Sequence, residues 1–216
     1  MNKILIIGGT GYAGAFIAKE ARKRNNEVVA LSRSQPTDPI AGVEYVQGSA
    51  SDAKILSDVM ARADVVVATV SPRGNMAGQV APLYAAIAKL AAEHNVRFIV
   101  VGGFSTLRPV AGAQRFFEDG SIPAEYRDEA LELAAVLESL DNDTPQDLDW
   151  LFISPAAVFG AHAGVVDTGT YTLGGDVAIF DKNGESKISG ADFAIGVVDE
   201  IENRQHHKVN ISLVQA

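Results

Sequence analysis

The chain has 216 residues, 47% of them hydrophobic, which is enough to bury one sizeable core, and we expect a single domain over residues 1–216. A formal net charge of −9 disfavours nucleic acid as a partner, because phosphate binding needs clustered Lys and Arg. The chain has no cysteine, no apolar run of membrane-spanning length and no His/Asp/Glu cluster at metal-ligand spacing, so we expect a cytoplasmic protein without a metal, as a monomer or homodimer.

Short Val- and Ile-rich runs alternate with helical patterns over the first 103 residues, and a further helix and strand follow. The predicted strands are residues 3–7, 27–31, 43–47, 64–69, 97–101 and 149–153. The predicted helices are residues 12–24, 51–62, 79–94 and 123–140. This alternation is typical of βαβ units and predicts an α/β fold, a Rossmann-like doubly wound parallel sheet with a small C-terminal substrate-side appendage.

The first strand leads into a glycine turn with the spacing G-x-x-G-x-x-G. Gly8 permits a tight turn, Gly11 lets backbone approach a pyrophosphate, and Gly14 lets the helix pack close to the strand. The helix N terminus adds free N–H groups and the positive end of a dipole. We therefore predict a dinucleotide site at this turn. The contacts predicted here are Gly8, Thr10, Gly11, Tyr12, Ala13 and Gly14.

The second strand ends in Ser32-Arg33-Ser34, where an NAD-preferring site usually carries a carboxylate. The first carboxylate after it is Asp38. A guanidinium can fork onto a 2′-phosphate and stack on adenine, and the Ser34 hydroxyl can add a further donor. Arg33 and Ser34 therefore predict NADP as the cofactor, with NADPH preferred over NADH. The alternative is that Arg33 is a solvated loop charge.

Further ligand contacts are expected beyond the carboxyl ends of the other strands. Residues 49–50 should flank the adenine, residues 69–71 the nicotinamide ribose, and residues 155–156 the nicotinamide pocket. The cofactor contacts predicted at these ends are Ser49, Ala50, Thr69, Val70, Ser71, Gly102, Gly103, Pro155 and Ala156. Helix capping by Ser51 or Asp52 is the alternative for the first of these segments.

The alternation ends after residue 103. Residues 108–122 form an irregular excursion, and residues 155–190 are expected to form a small substrate-side subdomain. Within it, Asn183-Gly184 predicts a hairpin between strands 177–180 and 186–188. Ser189 and Asp192 predict a capping box for a helix over residues 191–203, and residues 208–214 predict a last strand. The acidic residues of helix 123–140, which are Asp128, Glu129, Glu132 and Glu138, are expected to be solvated.

Five stretches of the chain resemble a known family. They are residues 8–14, 101–107, 148–156, 168–171 and 181–194. Together they resemble an atypical short-chain dehydrogenase/reductase and, more narrowly, the NADH-flavin reductase group of the NAD(P)H-binding, NmrA-like set. The resemblance covers nearly the whole chain and implies an NAD(P)H-dependent oxidoreductase. The chain departs from the group at Asp167, where the group tends to carry a basic residue, and at residues 160–166, so the substrate stays open.

The catalytic Tyr-x-x-x-Lys pair of alcohol-oxidising short-chain dehydrogenases is absent from the sequence. The five tyrosines are followed four residues later by Phe16, Ser49, Ala88, Ala130 and Gly175. Tyr126 opens the corresponding helix without its lysine and reads more readily as a surface residue than as a catalyst. Ser105 follows the fifth strand, where the resemblance implies a substrate-side serine, and a turn-capping role is its alternative.

Flavin and quinone reduction need no acid–base pair, because the nicotinamide delivers a hydride and the reduced ring spreads the charge. The leading expectation is an NADPH-dependent reductase whose partner is a flat small-molecule acceptor, a flavin or a quinone. Phe104, Phe116 and Phe117 are candidates for an aromatic wall against that acceptor, or else for core residues. The alternative function is a non-catalytic NADP-binding redox sensor of the NmrA type. An isomerase or dehydratase of nucleotide sugars is disfavoured, because little chain remains for a sugar-binding domain.

Overall fold

The computed structural model describes residues 1–215. Its strands are β1 (Lys3–Ile7), β2 (Glu27–Ser32), β3 (Val43–Gln47), β4 (Val65–Ala68), β5 (Arg97–Val101), β6 (Trp150–Pro155), β7 (Thr172–Gly174) and β8 (Asn210–Val214). Its α-helices are α1 (Tyr12–Lys23), α2 (Ala53–Met60), α3 (Val80–Glu93), α4 (Arg127–Asn142) and α5 (Gly190–Asn203). Short 3₁₀ turns lie at Gly74–Met76, Phe104–Thr106 and Ala124–Tyr126. Across residues 1–215, none of the helices has the length and apolar character to cross a membrane.

The eight strands form one sheet in the order β3-β2-β1-β4-β5-β6-β8-β7. All neighbours pair in parallel except β7, which runs antiparallel to β8. Alternate residues of β1 enter two separate apolar cores, one shared with α1 and α5 and the other with α2, α3 and α4. The predicted Rossmann-like fold is thus confirmed. The strand order reverses between β1 and β4, which is where such sheets bind ligands.

The helix starts show which capping expectations hold. Asp52 begins α2, because its Oδ1 accepts hydrogen bonds from the N–H groups of Lys54 and Ile55 at 2.9 and 3.1 Å. Ser189 Oγ accepts from the Asp192 N–H at 3.0 Å, which is half of the predicted capping box. The buried Asp192 carboxylate does not return the bond. It accepts instead from Thr168 N, Thr168 Oγ1 and Gly169 N at 2.8–2.9 Å, and so ties the substrate-side segment to α5.

The predicted hairpin of strands 177–180 and 186–188 is wrong. A tight turn does form at its centre, where Gly184 N donates to Asp181 O at 3.0 Å. Its two arms, however, pair with other parts of the chain, Val177 with Arg108 and Lys187 with Val158. The predicted helix 123–140 also differs, since it opens with a 3₁₀ turn and its α-helical part extends to Asn142.

Candidate functional site

A cavity of about 470 Å³ lies at the carboxyl ends of β1, β2 and β4, at the point where the strand order reverses. It brings together most of the residues predicted to contact a cofactor. These are Gly8, Thr10, Gly11, Tyr12, Ala13, Arg33, Ser34, Ser49, Ala50, Thr69, Val70, Ser71 and Gly102. Four predicted contacts do not line it, namely Gly14, Gly103, Pro155 and Ala156. The cavity therefore assembles from chain segments that the sequence keeps far apart.

The glycine turn is fixed by its packing against β4. Gly8 has a φ of +86°, and a Cβ there would lie 2.7 Å from Thr69 Oγ1. The Thr69 hydroxyl lies within hydrogen-bond distance of the Ile7 and Gly8 carbonyls, at 2.9 and 3.2 Å. A Cβ on Gly14 would lie 2.4 Å from the Gly8 carbonyl oxygen, so Gly14 packs directly against the turn and does not line the cavity. This is the packing role that the sequence assigned to it.

The N terminus of α1 opens onto the cavity through Tyr12 and Ala13. Among the residues that the structure describes, no side chain caps this end, whereas Asp52 caps α2 and Ser189 caps α5. Its first-turn N–H groups therefore keep their hydrogen-bonding capacity for a ligand. Free N–H groups at the positive end of a helix dipole suit an anion, and a pyrophosphate fits this site.

Arg33 stands at the end of the cavity formed by β2, and its side chain is exposed. Within residues 1–215 its guanidinium makes no hydrogen bond or ion pair, and only its carbonyl is engaged, by Gln47 Nε2 at 3.2 Å. The neighbouring Ser32 Oγ accepts from Thr10 N at 3.1 Å, which joins this strand end to the glycine turn. A guanidinium and the Ser34 hydroxyl are donors that suit a phosphate group.

Away from Arg33, the cavity wall is apolar, and hydrogen bonds fix the loop after β4 that forms part of it. Val70, Met76, Leu83, Val101, Leu133 and Phe159 line it. The Tyr84 hydroxyl accepts from Val70 N at 2.8 Å and donates to Val70 O at 2.9 Å, which fixes the loop after β4. Burial raises the pKa of Tyr84, so the hydroxyl stays neutral in this role. The Tyr12 hydroxyl accepts from Gly190 N at 2.9 Å, and its ring packs 5.3 Å from that of Phe159.

The expectation of a solvated acidic face on α4 is wrong for two of its residues. Glu129 Oε2 pairs with Arg73 Nε at 2.6 Å, and both side chains line the cavity. Glu132 accepts from the N–H groups of Gly78, Val80 and Ala81 at 2.5–3.2 Å, so it caps α3 from the neighbouring helix. The remaining two, Asp128 and Glu138, are exposed as expected. Two carboxylates of α4 thus hold the segment 73–81 beside the cavity.

The two candidate catalytic residues do not line the cavity. Ser105 is buried, 8% exposed, in the 3₁₀ turn directly after β5, and its carbonyl accepts from Phe117 N. Tyr126 is 52% exposed at the start of α4. Pro155 and Ala156 are buried where β6 ends. Gly103 lies beside the cavity, since a Cβ there would be 2.8 Å from Leu133 Cδ1.

Sequence reasoning missed a buried polar network beneath Ser105. Thr106 Oγ1 lies 2.9 Å from Ser154 Oγ, which lies 2.8 Å from Asn210 Oδ1. Asn210 Nδ2 returns to the Thr106 carbonyl at 3.3 Å. The network holds the turn 104–106 against β6 and β8. Its sequence signal is weak, because only Asn210 lies inside a predicted strand and Ser154 comes directly after one. Over the described residues, no three or more His, Asp or Glu side chains gather as a metal site would require.

Comparison with known proteins agrees with this geometry. The family model described as NAD(P)H-binding matches residues 8–204. The uncharacterized protein YwnB of Bacillus subtilis (strain 168) is 33% identical over 213 residues, which cover 98% of each chain. A solved structure named "putative NADH-flavin reductase", from Streptococcus pneumoniae TIGR4, is 30% identical, with 100% of each chain covered and a TM-score of 0.85.

A second solved structure, named "putative epimerase" and from Bacteroides thetaiotaomicron, is 28% identical, with 99% of this chain and 96% of that chain covered and a TM-score of 0.86. Both structures therefore share the fold over nearly their full length. This chain belongs to the NAD(P)H-binding family, and the family together with its Streptococcus relative indicates an NAD(P)H-dependent oxidoreductase.

Proposed function

We propose that the chain is an NADPH-dependent reductase that transfers a hydride to a flat acceptor such as a flavin or a quinone. The observation that carries the cofactor preference is the Arg33 guanidinium, which lines the cavity without any partner among residues 1–215. Glu129 is the one carboxylate that lines the cavity within that range, and it is already paired with Arg73. Among residues 1–215, the cavity therefore has no unpaired carboxylate that could bind the ribose 2′-hydroxyl of NAD.

Groups that line the cavity suit the pyrophosphate, the 2′-phosphate, the adenine and the nicotinamide ribose. The uncapped N terminus of α1 would hold the pyrophosphate, and Arg33 with Ser34 would hold the 2′-phosphate. Residues 49–50 would flank the adenine, and residues 69–71 would border the nicotinamide ribose. Gly14 supports the turn, and we assign Gly103, Pro155 and Ala156 to the walls around the nicotinamide pocket.

When bound, NADPH supplies a hydride, and the acceptor takes its remaining proton from water. The contribution of the chain is orientation and exclusion of water. The apolar wall that includes Val101, Leu133 and Phe159 lowers the water content around the reacting ring. Ser105, beside this wall, is our candidate for a hydrogen bond to the acceptor. Tyr126 is exposed and has no lysine partner, so we assign it no role.

An acceptor that stabilises its own reduced charge explains why no acid–base pair is needed. Epimerisation of an alcohol carbon needs such a pair, and the chain has no Tyr-x-x-x-Lys sequence. We therefore favour a reductase over the activity that the Bacteroides relative's name describes. We further propose a cytoplasmic location, with which a chain that forms no disulfide is compatible.

The proposal is tested by anaerobic oxidation of NADPH by the purified protein, with FMN, riboflavin and a simple quinone as acceptors. We expect saturable turnover with at least one of them and a higher kcat/KM with NADPH than with NADH. Tight NADPH binding without turnover on any acceptor would contradict the reductase and support the redox-sensor alternative. Equal kcat/KM with both nucleotides would contradict the cofactor preference alone.

A further inference from the structure

Three phenylalanine rings from separate segments of the chain meet near Gly103, which packs against the cavity residue Leu133. The rings of Phe104 and Phe116 stack with centroids 4.7 Å apart and planes 21° apart. The ring of Phe180 meets Phe104 edge-on, at 6.1 Å and 82°. We call Phe104, Phe116 and Phe180 the aromatic cluster. Phe117, which the sequence placed in the same wall, instead lines a second cavity of about 250 Å³.

The aromatic cluster is held in place by the backbone of all three segments. Phe116 N donates to Leu107 O at 3.0 Å, which fixes the second ring beside the turn that carries the first. Arg108 N donates to Asp176 O, and Ala178 N donates to Arg108 O, at 2.8 and 2.9 Å. These bonds hold the segment that carries Phe180 against the irregular segment 108–122. The three rings are therefore pre-organised, and a ligand would spend little free energy in ordering them.

The aromatic cluster adjoins the cavity and is open to solvent. Phe104 lies two residues after Gly102, which lines the cavity, and Gly103 between them packs against the lining residue Leu133. Phe180 is 46% exposed, although burying a ring of its size is favourable. An exposed ring held next to stacked rings, at the end of the cavity where hydride would leave, suits a flat ligand.

Two arginines beside the aromatic cluster, Arg108 and Arg115, already have partners in the protein. Arg108 Nε and Arg115 Nη2 both pair with the Asp176 carboxylate, at 3.0 and 3.3 Å. Arg108 Nη1 donates to the Ala113 carbonyl, and Arg115 Nη1 donates to the Thr106 carbonyl. A phosphate on the ligand would therefore have to displace these contacts to reach either guanidinium, and we expect the ring system to dominate recognition.

We propose that the aromatic cluster is the acceptor-binding surface and that it selects flat conjugated ring systems by stacking, without regard to a phosphate group. This inference rests on the proposed reductase function and names the part of the chain that recognises its acceptor. It predicts that FMN and riboflavin are reduced with similar KM values.

Phe180→Ala is the test variant, because its exposed side chain can be removed without opening the core. We expect the KM for riboflavin and for a simple quinone to rise about two- to twelvefold, the factor that an aromatic pair contributes. The dissociation constant of NADPH should not change. Phe180→Tyr keeps the ring and should restore the wild-type KM within twofold. Leu131→Ala, at another exposed apolar residue, is the matched control and should change neither constant.

Quenching of riboflavin fluorescence by the protein in the presence of NADP⁺ separates this proposal from the reductase function. If wild-type protein turns over NADPH and Phe180→Ala has the wild-type KM, the aromatic cluster is not the acceptor site, although the reductase stands. If wild-type protein has no turnover but binds riboflavin, and Phe180→Ala does not, the aromatic cluster binds flat rings and the reductase function is wrong. A KM for FMN more than tenfold below that for riboflavin would refute recognition by the ring alone.

Discussion

Replacing Arg33 by alanine tests the cofactor assignment at a single side chain. Its guanidinium lines the cavity and bonds to no other residue of the range 1–215, so its removal breaks no contact inside the protein. A charge-assisted hydrogen bond contributes about 1.5–3 kcal/mol. The exposure of Arg33 to water favours the lower part of that range. We therefore expect NADPH to bind about 10- to 30-fold more weakly to Arg33→Ala.

NADH should respond much less, because it carries no 2′-phosphate. Only stacking of the guanidinium on adenine would be lost, which at an exposed site contributes about 0.5–1 kcal/mol, so its affinity should fall less than about fivefold. The assay is titration of both nucleotides, followed by nicotinamide fluorescence, at low and at high salt. The NADPH effect should shrink at high salt, since the contact is exposed.

Arg62→Ala is the control for this experiment. Arg62 is also an exposed arginine, but it pairs with Glu44 at 3.0 Å and does not line the cavity. Its removal should leave the affinity for both nucleotides unchanged. Equal losses of NADPH and NADH affinity in Arg33→Ala would refute the reasoning, because they would show that Arg33 does not read the 2′-phosphate.

Further predictions concern the supports of the cavity. Gly14→Ala places a Cβ 2.4 Å from the Gly8 carbonyl oxygen and should destabilise the fold by about 1–3 kcal/mol in urea unfolding; a wild-type unfolding free energy would contradict this close packing. Glu132→Gln weakens the cap of α3 and should lower the unfolding free energy by about 0.3–2 kcal/mol at neutral pH; an unchanged midpoint would count against this cap. Glu129→Gln releases Arg73 and removes the lining carboxylate, so calorimetry should show NADPH binding up to about fivefold tighter, not weaker.

The sheet was predictable because its strands carry a local signal. In a parallel sheet with helices on both faces, a central strand is mostly apolar: β4 is apolar and buried at every residue, and so are the four residues of β5 that follow Arg97. The glycine turn was predictable for a similar reason. Gly8 must adopt a positive φ, and Gly14 must pack closely against the carbonyl of Gly8, only six residues away. Thirteen of the predicted cofactor contacts therefore meet in one cavity once the strand order is known.

The errors lie where distant contacts override local patterns. The turn at Asn183-Gly184 formed, but its arms found better partners at Arg108 and Val158, which no local pattern reveals. Glu132 was expected to be solvated because it is an acidic residue on an amphipathic helix, yet it caps a helix that begins 52 residues earlier in the chain. The sequence did not predict β7, because a strand of three residues is too short to show an alternation of apolar and polar residues.

The most direct test of the reductase is an anaerobic single turnover of stoichiometric NADPH with riboflavin, with bound nucleotide measured in the same sample. The account predicts that loss of NADPH absorbance is matched one for one by reduced flavin, and that the reaction is faster than with NADH at equal occupancy. NADPH that binds fully and is not oxidised would contradict it.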